Sequence, residues 1–356
     1  MIVYILIFLS LLIFSFVETL LDGKATPKLK LLQGVFCFSP LFLLVVLRST
    51  GFDYDVYESS YDILHFSDFI DLFGDIQFEP GFILLNIISP SFAFLIALMG
   101  VLTLSIKYLF IQKISPYPIL SLLVLFLAYV LNFEMGQIRQ ALSMSIMLYS
   151  VLYFQDRKKI LLFILIAALF HYSALIFLLA VFLPRTVKKW YFYAFLLVLS
   201  VILYFIAEPF IYIISNFLPG FSGAKLLLYY EMEKGEIDIS IPLLTLKVVL
   251  IVFFYLLRLR SVDIQKNNKY DNIFNIYFLS LFIYIAFAFF PQISGRGGAY
   301  FGVFEIILVP IILKGFNLLL YRVIAFLVFI SIYFYIFIKF LIKWGESYIP
   351  YTTWLF

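Results

Sequence analysis

Apolar runs of about 18–24 residues recur from one end of the chain to the other, broken by short polar segments. A run of that length matches the hydrocarbon thickness of a bilayer when helical. The pattern predicts helical crossings at 2–21, 31–47, 91–111, 117–133, 138–154, 190–214, 241–257, 272–290, 299–314 and 318–340. That is an all-α polytopic integral membrane protein with about ten transmembrane helices, organised as a single domain over 1–356. Residues 79–90 are apolar but too short to cross, and read as a half-helix leading into the next span.

The segment Ile160–Leu183 is long enough for one span, yet both flanks are basic: Arg157, Lys158 and Lys159 before it, Arg185, Lys188 and Lys189 after. Basic loops stay cytoplasmic, so the pattern favours a re-entrant hairpin turning near His171 over a single crossing. Each arm would be roughly 16 Å long, with its apex shielded by protein or lining a wet cavity. A single crossing with basic flanks on both sides is the alternative. On the hairpin map Lys24, Lys28, Lys30, Lys107, Lys113, Lys314 and Arg322 join the cytoplasmic set, and both termini lie outside. Two outer loops result, 48–79 and 215–240, and both carry acidic residues. In the first, Tyr57, Tyr61, Leu64, Phe69, Leu72 and Phe73 recur at roughly helical spacing, which predicts an amphipathic helix lying on the membrane. The second reads as a lid.

Composition agrees: 65% of residues are hydrophobic, mean hydropathy is +1.09, and a soluble chain of 356 residues could not hide so much apolar surface. A single cysteine, Cys37, and two histidines, His65 and His171, supply no metal-ligand cluster, so no zinc site is expected. The N-terminal run lacks a basic flank and a small-residue cleavage site, and reads as a retained span.

Charge distribution brings in function. Arg48, Arg139 and Arg296 stand at span ends on the face opposite most other basic residues. Cations there call for an anionic partner. Arg139 opens a helix, where the macrodipole opposes a cation and free N–H groups favour an anion; the bland alternative is an interfacial arginine paired with Glu134. Arg296 sits in Ser294-Gly295-Arg296-Gly297-Gly298, whose glycines allow close backbone approach and an anion nest, or else a plain solvated turn. Arg48 reads equally as an anion ligand or as an interfacial anchor or partner of Asp53. Three converging guanidiniums would suit a diphosphate. His171 in its apolar segment reads as a buried ring capped by Ser173, or as a base for a sugar hydroxyl. Asp53 and Glu79 are further candidate bases, each set against a solvated loop acid. Gln140, Tyr57 and Tyr300 are candidate substrate contacts. Glu305 reads as paired within the bundle, and Pro310 as a kink in its span.

The same residues carry a resemblance. Arg48-Ser49-Thr50-Gly51-Phe52-Asp53 with Tyr57, Glu79-Pro80-Gly81-Phe82, Ile138-Arg139-Gln140-Ala141-Leu142, Phe170-His171-Tyr172-Ser173-Ala174-Leu175, and Ser294-Gly295-Arg296 with Tyr300-Phe301 resemble the successive motifs of the EpsG family, in order over nearly the whole chain. The closing Tyr348-Ile349-Pro350-Tyr351 is similar too. That family includes Wzy-type polysaccharide and O-antigen polymerases. The resemblance implies a GT-C-like, metal-independent glycosyltransferase without cofactors, in the bacterial cytoplasmic (inner) membrane with its site facing outward. It would join repeat units carried on undecaprenyl diphosphate, with inversion, and Arg139, His171 and Arg296 would be at the site. Membrane lipid and undecaprenyl-diphosphate-linked oligosaccharide are the implied partners, with room for a chain-length regulator protein and none for nucleic acid. A lipid-linked oligosaccharide flippase, a non-catalytic partner in glycan assembly and an O-acyltransferase are the competing classes.

Overall fold

The computed structural model describes residues 1–24, 26–66, 78–217, 220–233, 240–265 and 267–355. They are all-helical, and none forms a β-strand. We number the helices α1 (Ile2–Leu20), α2 (Pro27–Val46), α3 (Tyr54–Phe66), α4 (Pro80–Ile88), α5 (Phe92–Ile114), α6 (Pro118–Glu134), α7 (Ile138–Ser150) and α8 (Arg157–Ala168). There follow α9 (Tyr172–Val181), α10 (Trp190–Ile206), α11 (Glu208–Phe217), α12 (Gly220–Glu233), α13 (Ile241–Arg260), α14 (Asn268–Ala286), α15 (Gln292–Gly302), α16 (Glu305–Lys314) and α17 (Leu319–Trp344).

Five of these, α1, α2, α5, α13 and α17, are long and apolar enough to cross a bilayer alone. The bent pairs α10–α11 and α15–α16 raise the number to seven. The expected ten are therefore not all met. At 13 residues α7 extends about 20 Å, and α14 opens with the polar run Asn268-Lys269-Tyr270-Asp271-Asn272. The expected span 190–214 breaks at Ala207 and turns by 83°, with Pro209 in the first turn of α11. Its neighbour α15–α16 bends by 48° between Gly302 and Glu305, while Pro310 lies inside unbroken α16. The kink thus falls ahead of the proline instead of at it.

The segment 157–183 folds back on itself. At its ends, the Arg185 guanidinium donates to the Gln155 carbonyl at 3.1 Å, and α9 packs beside α8. Val187 N–H then donates to Asp271, which also accepts two bonds from Arg258. Asp22 meets Lys314, Arg322 and Tyr117, and Lys113 meets Tyr149. These contacts gather the basic clusters at one end of the bundle, the arrangement a hairpin predicts. Lys107 is the exception among the expected loop cations. It lies within α5, fully buried, in an ion pair with Glu134.

That pair also fixes depth. Lys107 stands fifteen residues, about 22 Å of helix, past the first residue of α5. Glu134, and Arg139 just after it, therefore sit well down inside the bundle and not at its rim, where the sequence pattern puts them.

Within the loop 48–79, residues 67–77 lie outside the described set, and with them Phe69, Leu72 and Phe73 of the expected stripe. The described part, α3, does present Tyr57, Tyr61 and Leu64 on one buried face. That face packs on protein: Tyr57 on Phe82, Tyr61 on Phe92, and the Tyr61 hydroxyl on the Ser89 carbonyl at 2.6 Å. The expected lid, 215–240, contains the end of α11 and all of α12, but 218–219 and 234–239 are not described.

The C-terminal residues close a seam over the first two helices. Tyr4 donates to the Tyr348 carbonyl, Tyr351 to that of Leu44, and the Trp354 indole to that of Val46. Arg48 and Thr353 form an isolated antiparallel bridge.

Candidate active site

Three interrupted elements meet inside the bundle. The turn ahead of α4 supplies Glu79, the start of α7 supplies Arg139, and the apex between α8 and α9 supplies His171. Irregular backbone at such depth persists only where protein or a wet cavity satisfies its polar groups. Gly81 shows how closely the first and third are joined. Its N–H donates to the Leu169 carbonyl at 2.8 Å. A Cβ at position 81 would stand 2.7 Å from that oxygen, so only glycine lets the turn sit on the apex.

The apposition creates one polar cluster. Glu79 Oε1 lies 2.7 Å from His171 Nδ1 and accepts from the Tyr172 N–H at 3.3 Å. Glu79 Oε2 pairs with the Arg139 guanidinium. Arg139 is further caged by the rings of Phe78, Phe82 and Tyr57, at 4.8, 5.6 and 5.8 Å. Burial alone would raise the Glu79 carboxyl, but His171 first and Arg139 second outweigh it and hold the group well below the ordinary carboxylate range. Glu79 is thus a fixed anion and a poor proton acceptor. With Nδ1 engaged by a carboxylate, the imidazole keeps Nε2 for other chemistry. His171 is 24% exposed, so that nitrogen is not sealed off.

Arg296 stands next to this cluster, near enough for its charge to act on His171. Gln140 holds the segment by donating to the Arg296 carbonyl at 2.5 Å. The expected glycine nest does not form. Residues 292–297 make a wide helical turn, and Gly295, Gly297 and Gly298 have no positive φ. Gly297 instead lets α15 approach α9, where an added Cβ would meet Ile176 at 3.1 Å. Arg296 also lines a cavity of about 330 Å³.

The remaining candidates have different surroundings. Arg48 is 1% exposed; it donates to the Thr50 carbonyl at 2.6 Å and lies against the Tyr54 ring, part of the seam under the C-terminal segment. Asp53 caps the start of α3, where its carbonyl accepts from Tyr57 N–H, and its charge acts on Tyr57 and Tyr348. Tyr300 is fully buried, accepting from Ser173 and donating to Ser143, whose own hydroxyl donates to the Ala167 carbonyl. It pins the hairpin to α7 and α15. Ser173 therefore serves Tyr300, while His171 is partnered by Glu79. Glu134 belongs to Lys107 and leaves Arg139 to Glu79. The aromatic cage and the Ser143–Tyr300–Ser173 chain are not visible in the sequence; the Phe78-Glu79 and Phe82 neighbourhood is the only local signal of the cage.

A family comparison decides the class. The EpsG family model matches residues 31–353, nearly the whole chain. The protein belongs to the EpsG family. EpsG members are Wzy-type polymerase-like, so this EpsG protein has a membrane, glycan-polymerase-like role and is glycosyltransferase-like at the general level. Comparison with curated proteins and with solved structures gives no match. Every motif that carried the resemblance lies within the matched range, and three of them, those bearing Glu79, Arg139 and His171, converge on one cluster.

Proposed function

We propose that this EpsG-family protein polymerises oligosaccharide repeat units carried on undecaprenyl diphosphate, at the outer face of the bacterial cytoplasmic membrane. The observation that carries the reading is the Glu79–His171–Arg139 cluster, recessed in the bundle beside Arg296. The acceptor hydroxyl gives its proton to His171 Nε2 as its oxygen attacks the anomeric carbon of the donor's first sugar. The carbon–oxygen bond to the diphosphate breaks, and undecaprenyl diphosphate leaves with the bonding electrons. A single displacement of this kind inverts the anomeric centre. Glu79 holds the Nδ1 proton and stabilises the imidazolium that forms. Arg139 has its charge largely matched by Glu79, which leaves Arg296, whose charge also reaches His171, for the leaving group. Asp53, lying with Tyr57 and Tyr348, is less favoured as base than His171. Basic clusters gathered at the opposite end of the bundle support an outward-facing recess.

The test is reconstitution with lipid-linked repeat units. A growing product ladder that His171→Ala and Arg296→Ala abolish at equal protein levels supports the proposal. Long chains from either variant refute it. Lipid translocation without lengthening would mark a flippase instead.

A further inference from the structure

The cavity lined by Arg296 holds a second cation, this one buried, that the reading above does not use. Lys247 lies on α13, six residues and about 9 Å of helix below Ile241, and is 6% exposed. Its ammonium donates to Ser280 Oγ at 3.0 Å and sits over the Tyr277 ring at 5.5 Å. Gly302 leaves room for it: a Cβ there would stand 3.4 Å from Nζ. The nearby Glu305 accepts instead from the hydroxyls of Tyr129 and Tyr277, at 2.9 and 3.1 Å. An ammonium has three donors, and only one is used by Ser280.

Lys247 and Arg296 line the same cavity. Arg296 precedes Gly302 by six residues, again about 9 Å of helix. The two cations thus stand toward opposite ends of one compartment, walled by Leu127, Leu131, Leu243, Leu246, Ile336 and Phe337. With Glu305 as the one acid among the described lining residues, the compartment carries a surplus positive charge. Two long cations above and below an apolar-walled space match an anion with more than one phosphoryl group on an apolar carrier. Glu305 acts on the Lys247 charge without pairing with it directly, whereas Arg139 is paired with Glu79 and Arg48 is buried under the C-terminal segment.

We propose that Lys247, with Arg296, binds in this cavity the diphosphate of the donor, the leaving group that Arg296 serves in the transfer. The inference rests on the polymerase reading, in which two lipid diphosphates must be held at once, and it gives one of them a place. Ser280 and the Tyr277 ring set the position of Lys247.

Purified protein in detergent is titrated with undecaprenyl diphosphate and, separately, undecaprenyl monophosphate. Lys247→Met is expected to weaken the diphosphate complex by about tenfold or more while changing the monophosphate complex little, and Lys247→Arg to restore the preference. A purely structural lysine would not move that preference. Diphosphate binding by Lys247→Met at wild-type strength, or an equal loss for both lipids, overturns the inference. If the single variant does not fold, the charge-neutral pair Lys247→Met with Glu305→Gln is titrated in the same way, and the same two results overturn it. The product ladder separates the two claims: a ladder with unchanged Lys247→Met binding sinks only this site, whereas selective binding without any ladder sinks only the polymerase.

Discussion

Replacing Glu79 by glutamine tests the cluster at its centre, because an amide cannot satisfy all three of its neighbours. Oε1 now serves His171 Nδ1 and the Tyr172 N–H, and Oε2 serves Arg139. If the amide oxygen faces His171, the NH2 group is turned on a guanidinium that has only donors. If the oxygen faces Arg139, the NH2 group meets Nδ1, forces the proton onto Nε2 and removes the base. Either orientation forfeits at least one charge-assisted hydrogen bond, worth about 1.5–3 kcal/mol. The three ring contacts of Arg139 persist in both forms and offset nothing. Loss of a positioned general base costs about 10²–10⁴-fold in rate. Glu79→Gln should therefore lower ladder growth by at least about 10²-fold, with a lower melting temperature in detergent. Growth within about threefold of wild type, at equal protein level, would refute the role given to the Glu79–His171 pair.

Gly81→Ala should behave like a milder active-site lesion despite touching no substrate, since its Cβ would stand 2.7 Å from the Leu169 carbonyl and push Glu79 off the apex; ladder growth measures it, and wild-type activity counts against the close approach. Tyr300→Phe strands the Ser173 hydroxyl, while Ser143 keeps its bond to the Ala167 carbonyl, and should cost about 1–3 kcal/mol, read as a lower melting temperature. Acidification supplies a further check. The folded Glu79 carboxyl lies below its unfolded value of 4.5, so its contribution is complete above that pH and is lost as pH falls toward the depressed value. Wild-type melting temperature should drop more steeply below pH 4.5 than that of Glu79→Gln; parallel curves would contradict the assignment.

Most of the helices were legible because an apolar run of about 18–24 residues has one reading in a bilayer. The hairpin was legible for a different reason: Arg157 to Lys159 and Arg185 to Lys189 both needed the same side, and only a returning chain provides it. Depth was not legible. Arg139 looks like a rim residue because a polar break precedes it, and only the Lys107–Glu134 pair shows how far down α5 that break lies. The partners of His171 were equally hidden. Ser173 is two residues away in sequence, Glu79 is 92 residues away, and sequence proximity favoured the wrong one. The glycines around Arg296 suggested a nest because their freedom is visible in sequence while their use is not; here they serve close packing.

The seam made by Tyr348, Tyr351 and Trp354 has a consequence for biogenesis. The first two helices are inserted when the residues that cover Arg48 have yet to be translated. Until the tail arrives, the Arg48 guanidinium must find water, lipid phosphate or a chaperone. The clasp joins helices made early to residues made 307 and 308 positions later, so a change at Trp354 threatens the early helices it covers more than those beside it in sequence.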